Sequence, residues 1–520
     1  MTVRRNTDLP PELREHMVAI RAKAREYGLD FFDVVFEVVD FRTMNQIAAY
    51  GGFPTRYPHW RWGMEFEKLS KRDAYGMGRI YELVINNNPC YAYLQESNAL
   101  ADQKLVMSHV FAHADFFKSS AWFARTDRSM INTMANHATR VERHIEKHGK
   151  DTVERFIDAC LSVEHLIDPY TAYAPAHTAA QDSADQSPPA SADSLHATRL
   201  PSKGYMDPFI NPRHRLEAER AEAQKRDDDR KGKDPARPTR DVLLYLLRHA
   251  PLDDWQRDIL TIIRDESYYF APQAMTKVLN EGWATYWHTK LMTGHFADAS
   301  EIVQYADQHS GVVHMPAGGF NPYKIGVELL RDVEDRYDRG RHGPDWERLP
   351  GLGQQQRYDD RSMRGREKLF EIRRFANDIT FLDEYLTEEF VERTRMYRYV
   401  RDPATGEVKV ATRDWKKVKA ELLARLSNMG QPFIYVVDGN YRNRGELYLA
   451  HQWNGLEVDL AKAGEVLRNL RILWGRPVHA QCRIGDEMNL LSFEALPGAD
   501  AEPTRQKIRD DTPKPAHMVE

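Results

Sequence analysis

The stretch ALADQKLVMSHVFAHADFF, Ala99–Phe117, decides how the chain is read. Its apolar residues recur at spacings of three and four, the signature of an amphipathic helix. Side chains four apart leave a helix on the same face, so His109 and His113 can converge on one metal ion. Asp102, two turns before His109 on nearly the same face, is placed to orient an imidazole from behind. The ordinary reading of such a pair is two hydrogen-bonding histidines on a surface or in a core, and a metal needs further ligands.

Those come from farther along the chain. NEGWATYWHTKLM, Asn280–Met292, is a second helix that carries Glu281, Thr285 and His288 on one face. Glu281 completes a His2Glu set, the donor set of many catalytic zinc sites, with one position left for water. It equally suits a helix N-terminus capped by Asn280, where a carboxylate complements the macrodipole. His288 reads either as a helper in the chemistry or as a partly buried histidine among Trp283, Tyr286 and Trp287. The loop SGVVHMPAGGFNPYKIG, Ser310–Gly326, follows with His314, Asn321 and Tyr323, donors able to face a developing oxyanion. Its Asn321-Pro322 pair also reads as the plain start of a helix. A third helix, NTMANHATRVERHIEKHG, lines up His137, His144 and His148, but Arg140, Arg143 and Lys147 make that stripe a solvated face.

Around these helices the chain divides by composition. Helical periodicity runs through 1–175, broken at Ala49–Trp62, AYGGFPTRYPHWRW, where glycines and prolines gather five aromatic residues into an expected plug on the core. Residues 176–240 are first small and polar, then densely charged, and read as a low-complexity insertion that buries too little apolar surface to offset its chain entropy. Helices resume over 241–345, so the helical domain is split. A charged helical connector, 346–396, leads to strand patterns in RMYRYVRD, EVKVATR, PFIYVVDG, GELYLAHQW and VHAQCRIGDEMNLLSFE, with helices between them. These predict a small α/β domain over 397–498 and a solvated tail over 499–520. The expected class is α+β, a large mainly helical domain followed by a small α/β one. A net charge of −5 over 520 residues gives no strong field for nucleic acid or an anionic membrane. Three scattered cysteines make neither a disulfide framework nor a cysteine zinc site, and no apolar run is long enough to span a bilayer. The expectation is a cytoplasmic protein.

The motifs AYGGFPTRYPHW near position 50, LADQKLVMSHVFAHADFFK near 110, LNEGWATYWH near 285 and the NPYKIG loop, with the C-terminal segment, make the chain resemble the stage V sporulation protein R (SpoVR) family of bacterial proteins. The likeness spans nearly everything except the insertion. It implies a part in spore cortex formation, cell-wall or stress physiology. The usual neighbours of its members imply a PrkA-type serine protein kinase and a von Willebrand A-like protein as partners. Glu281-Gly282-Trp283-Ala284 resembles, more distantly, zincin metallopeptidases whose third zinc ligand is a glutamate on a separate helix. That likeness implies a zincin-like helical core holding zinc, or another divalent metal, on His109, His113 and Glu281. Zincins carry HExxH on the first helix, and its glutamate activates the attacking water. Here that position is Val110, which moves no proton, and loss of a positioned base removes on the order of 10² to 10⁴ in rate. Glu96, Asp115 or Glu266 would have to replace it, Asp115 least well because it points off the ligand face. Two functions stay open: a metal-dependent hydrolase of peptidase or amidase type, with Tyr323, His314 and His288 as helpers, and a non-catalytic regulatory or scaffold protein working with the kinase and the von Willebrand A-like partner.

Overall fold

The computed structural model describes residues 9–74, 82–173, 233–316, 318–401, 406–495 and 501–508, with scattered positions between 206 and 221. Most of the stretch read as a low-complexity insertion, 176–240, lies outside them. The chain forms two compact units, one of Met1–Arg155 with Tyr268–Gly430, the other of Phe156–Ser267 with Gln431–Glu520. Its class is α+β, mainly helical with small sheets, as the periodicities predict.

The first unit is organised by the helix Leu100–Ser119, called here the histidine helix, in which every residue from 101 to 117 is buried. This exceeds the one-sided burial that its periodicity predicts. A helix covered all round is a central helix, and its polar residues must then find partners inside the protein. Several do, although His109 Nε2 and Gln103 Oε1 are left without one. Lys104 reaches both carboxylate oxygens of Glu301 at 2.8 Å, and Gln103 donates to the Gln95 carbonyl at 2.7 Å. Asp115 accepts from the Asp30 backbone N–H at 2.7 Å, from Trp283 Nε1 at 2.9 Å and from the Arg373 guanidinium at 2.5 Å. Buried Asp115 is thus a structural knot, and breaking such an ion pair on one side costs about 3–5 kcal/mol.

A three-stranded sheet precedes this helix. β1 (Val34–Val39) runs parallel to the central β3 (Cys90–Gln95), and the short β2 (Leu83–Ile85) pairs with β3 antiparallel. Phe36 of β1 packs edge-on against Phe111 of the histidine helix, 5.5 Å between centroids, which fixes sheet against helix. The expected aromatic plug forms in part: Phe53 and Tyr57 are buried, Phe53 against Tyr269 and Phe270, whereas Trp60 stays half exposed.

The second central helix, Lys277–Leu291 or the glutamate helix, is buried without a break from 278 to 288. Its first amides would be orphaned, and the buried carboxylate of Asp378 accepts those of Val278 and Leu279 at 2.8 and 2.9 Å. It crosses the helix Pro322–Asp338 at two glycines. A Cβ on Gly282 would stand 2.5 Å from the Gly326 backbone, and one on Gly326 2.2 Å from the Val278 carbonyl oxygen. Only hydrogen at both positions permits this approach.

The strands expected beyond position 397 form, but in two separate sheets. β4 (Arg398–Arg401) and β5 (Val408–Thr412) make a hairpin that belongs, with the helix Trp415–Leu426, to the first unit. In the second unit β6 (Phe433–Tyr441), β7 (Glu446–Gln452), β8 (Val478–Ile484), β9 (Glu487–Phe493) and β10 (Thr504–Lys507) line up as β10-β9-β8-β7-β6. All neighbours are antiparallel except β7 and β8, whose parallel connection needs the crossover helix Leu460–Trp474. β10 lies within the stretch read as a solvated tail; its side chains are all exposed, so only backbone pairing reveals it. Among the described residues no helix is long and apolar enough to cross a membrane.

Candidate metal centre

Four side chains meet in the first unit: Glu82 just before β2, His109 and His113 on the histidine helix, and Glu281 on the glutamate helix. Each offers one ligand atom, and these atoms all lie within 4.8 Å of one another. His109 Nε2 stands 3.4 Å from Glu82 Oε2 and 3.6 Å from Glu281 Oε2, while His113 Nε2 is 3.4 Å from Glu281 Oε2. These separations exceed good hydrogen bonds. His109 Nε2 and Glu281 Oε2 are buried without a hydrogen-bond partner. Buried polar atoms seldom go unpaired, so two that face the same small space mark a place for something else.

The far sides of the ligands are held. His113 Nδ1 lies 2.9 Å from Asn280 Oδ1, an oxygen that can only accept, so Nδ1 carries the proton and Nε2 presents its lone pair to the centre. His109 Nδ1 is 2.8 Å from His288 Nδ1, and His288 Nε2 is 3.1 Å from His309 Nδ1. The three rings make a line of alternating donors and acceptors. With Nδ1–H of His109 donating to His288, and Nε2–H of His288 donating to His309, the free nitrogen of His109 faces the cluster. Glu281 Oε1 is taken by the half-exposed Lys277 at 2.5 Å. Tyr323 donates its hydroxyl to Glu82 Oε1 at 2.9 Å.

The electrostatics follow. Burial pushes the Glu281 carboxyl up, but His113, His109 and Lys277 outweigh it and hold it well below the usual carboxylate range. Burial pushes His113 down and the carboxylates of Glu281 and Glu82 raise it above its ordinary value. Burial, then the neighbouring His109 and His309, keep His288 well below the usual imidazole range, so it stays neutral. Burial beside Glu82 and Glu281 raises the Tyr323 phenol, which remains a donor. Two carboxylates this close repel unless a proton or cation stands between them. Two imidazoles with two carboxylates form a nitrogen and oxygen donor set of the kind that binds zinc and other divalent first-row metals. The residues fit a metal.

His109, His113 and Glu281 are therefore brought together, with Tyr323 beside them through Glu82. His288 lies behind His109 and does not face the centre. Exposed His314 stays outside; its carbonyl, not its ring, is used, accepting from Asn321 Nδ2 at 2.9 Å. Asn321 caps the helix Pro322–Asp338 through the amides of Tyr323 and Lys324, as the plain reading of Asn-Pro holds. Asp102, placed on paper to orient an imidazole, instead lies 3.4 Å from Gln304 Nε2, and His288 takes that task. Of the carboxylates considered as substitutes for the one missing at Val110, Glu96 is exposed, Asp115 is bound to Arg373, and Glu266 belongs to the other unit. Glu82 was not among them. It follows no helical spacing, and its one signal is a carboxylate at the head of the apolar strand Leu83–Ile85.

The sequence profile of the family described as SpoVR like protein matches residues 8–431, and that of the SpoVR-like C-terminal domain matches residues 432–482. The uncharacterized protein YcgB of Escherichia coli (strain K12) is 28% identical over 498 residues, covering 88% of this chain and 89% of the relative. No solved structure matches.

Proposed function

The chain belongs to the SpoVR family, and we propose that it is a metal-dependent hydrolase in which His109, His113 and Glu281 hold one divalent cation, zinc first by donor set, with Glu82 as the general base. The observation that carries this reading is the pair of buried atoms without partners, His109 Nε2 and Glu281 Oε2, aimed into one space while the opposite edge of each ligand is hydrogen-bonded.

A cation bound there supplies Lewis acidity toward a carbonyl and toward water. The chain's own residues do the rest. Glu82 is the most solvent-accessible of the four side chains, at 20% against 7% or less for the others, so it is the one placed to take a proton from an incoming water. Tyr323 fixes the Glu82 carboxylate with its single hydroxyl proton; once Glu82 has taken a proton from water and can donate in its turn, that hydroxyl is released to donate to an oxyanion formed beside it. Lys277 steadies Glu281 from the far side, and Asn280 and His288 fix the two imidazoles. An amide or peptide bond is the substrate class that this base and donor set suits.

The regulatory alternative, with a PrkA-type kinase and a von Willebrand A-like partner, rests on Val110, which is fully buried in the core and supplies no base. Glu82→Gln separates the two. If Glu82 is the base, the variant retains stoichiometric zinc and loses on the order of 10² to 10⁴ in hydrolysis of a casein or peptidoglycan-peptide library. Undiminished hydrolysis, or none from the metal-loaded wild type, refutes the assignment.

A further inference from the structure

Away from the metal cluster, the first unit contains a cleft of about 360 Å³ between the Gly- and Pro-rich loop and residues 394–399 and 418–425. That volume lies within the range of pockets that hold small organic ligands. Ile325, Val418 and Leu422 give it an apolar floor, and the rings of Tyr397 and Tyr399, 6.4 Å apart, stand at its side.

The charges on its wall do not balance. Arg395, Arg398 and Arg425 line it with a single carboxylate, Glu421. Glu421 is shared between Arg425 at 2.7 Å and Arg398 at 3.4 Å. Arg395 meets no carboxylate among the described residues, and its carbonyl accepts from the Tyr399 hydroxyl at 3.1 Å, tying its backbone to the wall. An apolar floor below an excess of two positive charges is complementary to a molecule with a flat or acyl body and one anionic end. Arginine binds a carboxylate or a phosphate equally, since both accept its paired N–H groups.

We propose that this cleft is a binding site for a small amphiphilic anion, a carboxylate or a phosphate monoester, with Arg395 as the principal anchor. The site is independent of the metal centre in its chemistry. It shares one stretch of chain with it: Gly318, Gly319 and Phe320 of the cleft wall lead directly into Asn321, the cap that sets Tyr323. The backbone there has no room to spare, because a Cβ on Gly318 would stand 3.0 Å from Tyr399.

The test uses the full chain and the aromatic anion 8-anilinonaphthalene-1-sulfonate, titrated by fluorescence and calorimetry at low and moderate salt. One saturable site is expected, weakened by salt, about three- to tenfold weaker in Arg395→Gln, and lost in Leu422→Trp, which fills the floor from a half-buried position. Octanoate and phenyl phosphate each compete with the dye if the site takes both head groups; competition by one alone assigns the head group. Far-ultraviolet circular dichroism confirms that the variants are folded. Absence of a saturable site, affinity unchanged in both variants, or a dye displaced by neither anion overturns the proposal. A result in either direction leaves the metal reading untouched, because zinc content is measured separately.

Discussion

Replacing Gly326 by alanine tests how the centre is built. The glutamate helix and the helix that carries Tyr323 touch backbone to backbone at Gly282 and Gly326, and the new Cβ would fall 2.2 Å from the Val278 carbonyl oxygen and 2.6 Å from Gly282 Cα. Ordinary contact begins near 3.4 Å, so the helices must part by about 1 Å, with no flexible side chain available to yield. Overpacking of this kind costs about 1–3 kcal/mol, against which alanine returns roughly 1 kcal/mol in helix propensity. Because both obstacles are main chain, the net loss should sit near 2 kcal/mol. Tyr323, one turn before Gly326, moves with its helix, and its 2.9 Å bond to Glu82 is broken. Urea denaturation should therefore show a lowered midpoint, and zinc titration a weakened site. Gly63→Ala is the control: it occupies an exposed position in the helix Trp60–Ala74 with nothing within 4 Å of a new Cβ, and should be neutral or stabilising by up to about 1 kcal/mol. Equal stability and equal zinc affinity in Gly326→Ala and wild type would mean that the glycine contact neither limits the packing nor positions Tyr323.

Other consequences are as specific. Val110→Glu, the substitution that would restore HExxH, places a carboxylate in a fully buried core position; it should lower the melting temperature by several degrees and yield no gain in peptide hydrolysis. In the second unit, His451 is buried on β7 with neither ring nitrogen hydrogen-bonded, and burial depresses its pKa to about 4. The unfolded chain binds that proton near pH 6.5, so the stability this neutral ring contributes is full well above pH 6.5, falls by about 3 kcal/mol as the pH drops toward 4, and is level below it. Chemical denaturation at stepwise pH should show that loss in the wild type and a smaller one in His451→Leu.

Much of the site was legible because helices announce their faces. His109 and His113 are four apart, and Glu281 lies in a separate helical motif, so residue types and spacing sufficed to pick out three members of the cluster. Glu82 was hidden because it comes from the edge of a sheet, where no period relates it to the histidines; only the pairing of β2 with β3, which leads into the histidine helix, brings it there. His309 was missed for a similar reason, since its contact with His288 depends on how two helices cross. His314 looked functional as a histidine in a glycine-rich loop, yet the loop uses backbone carbonyls to hold Asn321 and leaves the ring outside. Local alternation marked the stretches that hold the described strands between 397 and 494, with β8 and β9 read as one, but alternation says nothing about which strands share a sheet, so the separation of β4–β5 from the five-stranded sheet needed coordinates.

Whether the cluster of His109, His113 and Glu281 is a metal cage is decided by zinc content. The purified chain, loaded with zinc and dialysed against metal-free buffer, should retain one equivalent by inductively coupled plasma analysis. A folded His109→Ala, His113→Ala double variant should retain background only. Background zinc in both proteins, or one equivalent in both, would contradict the account.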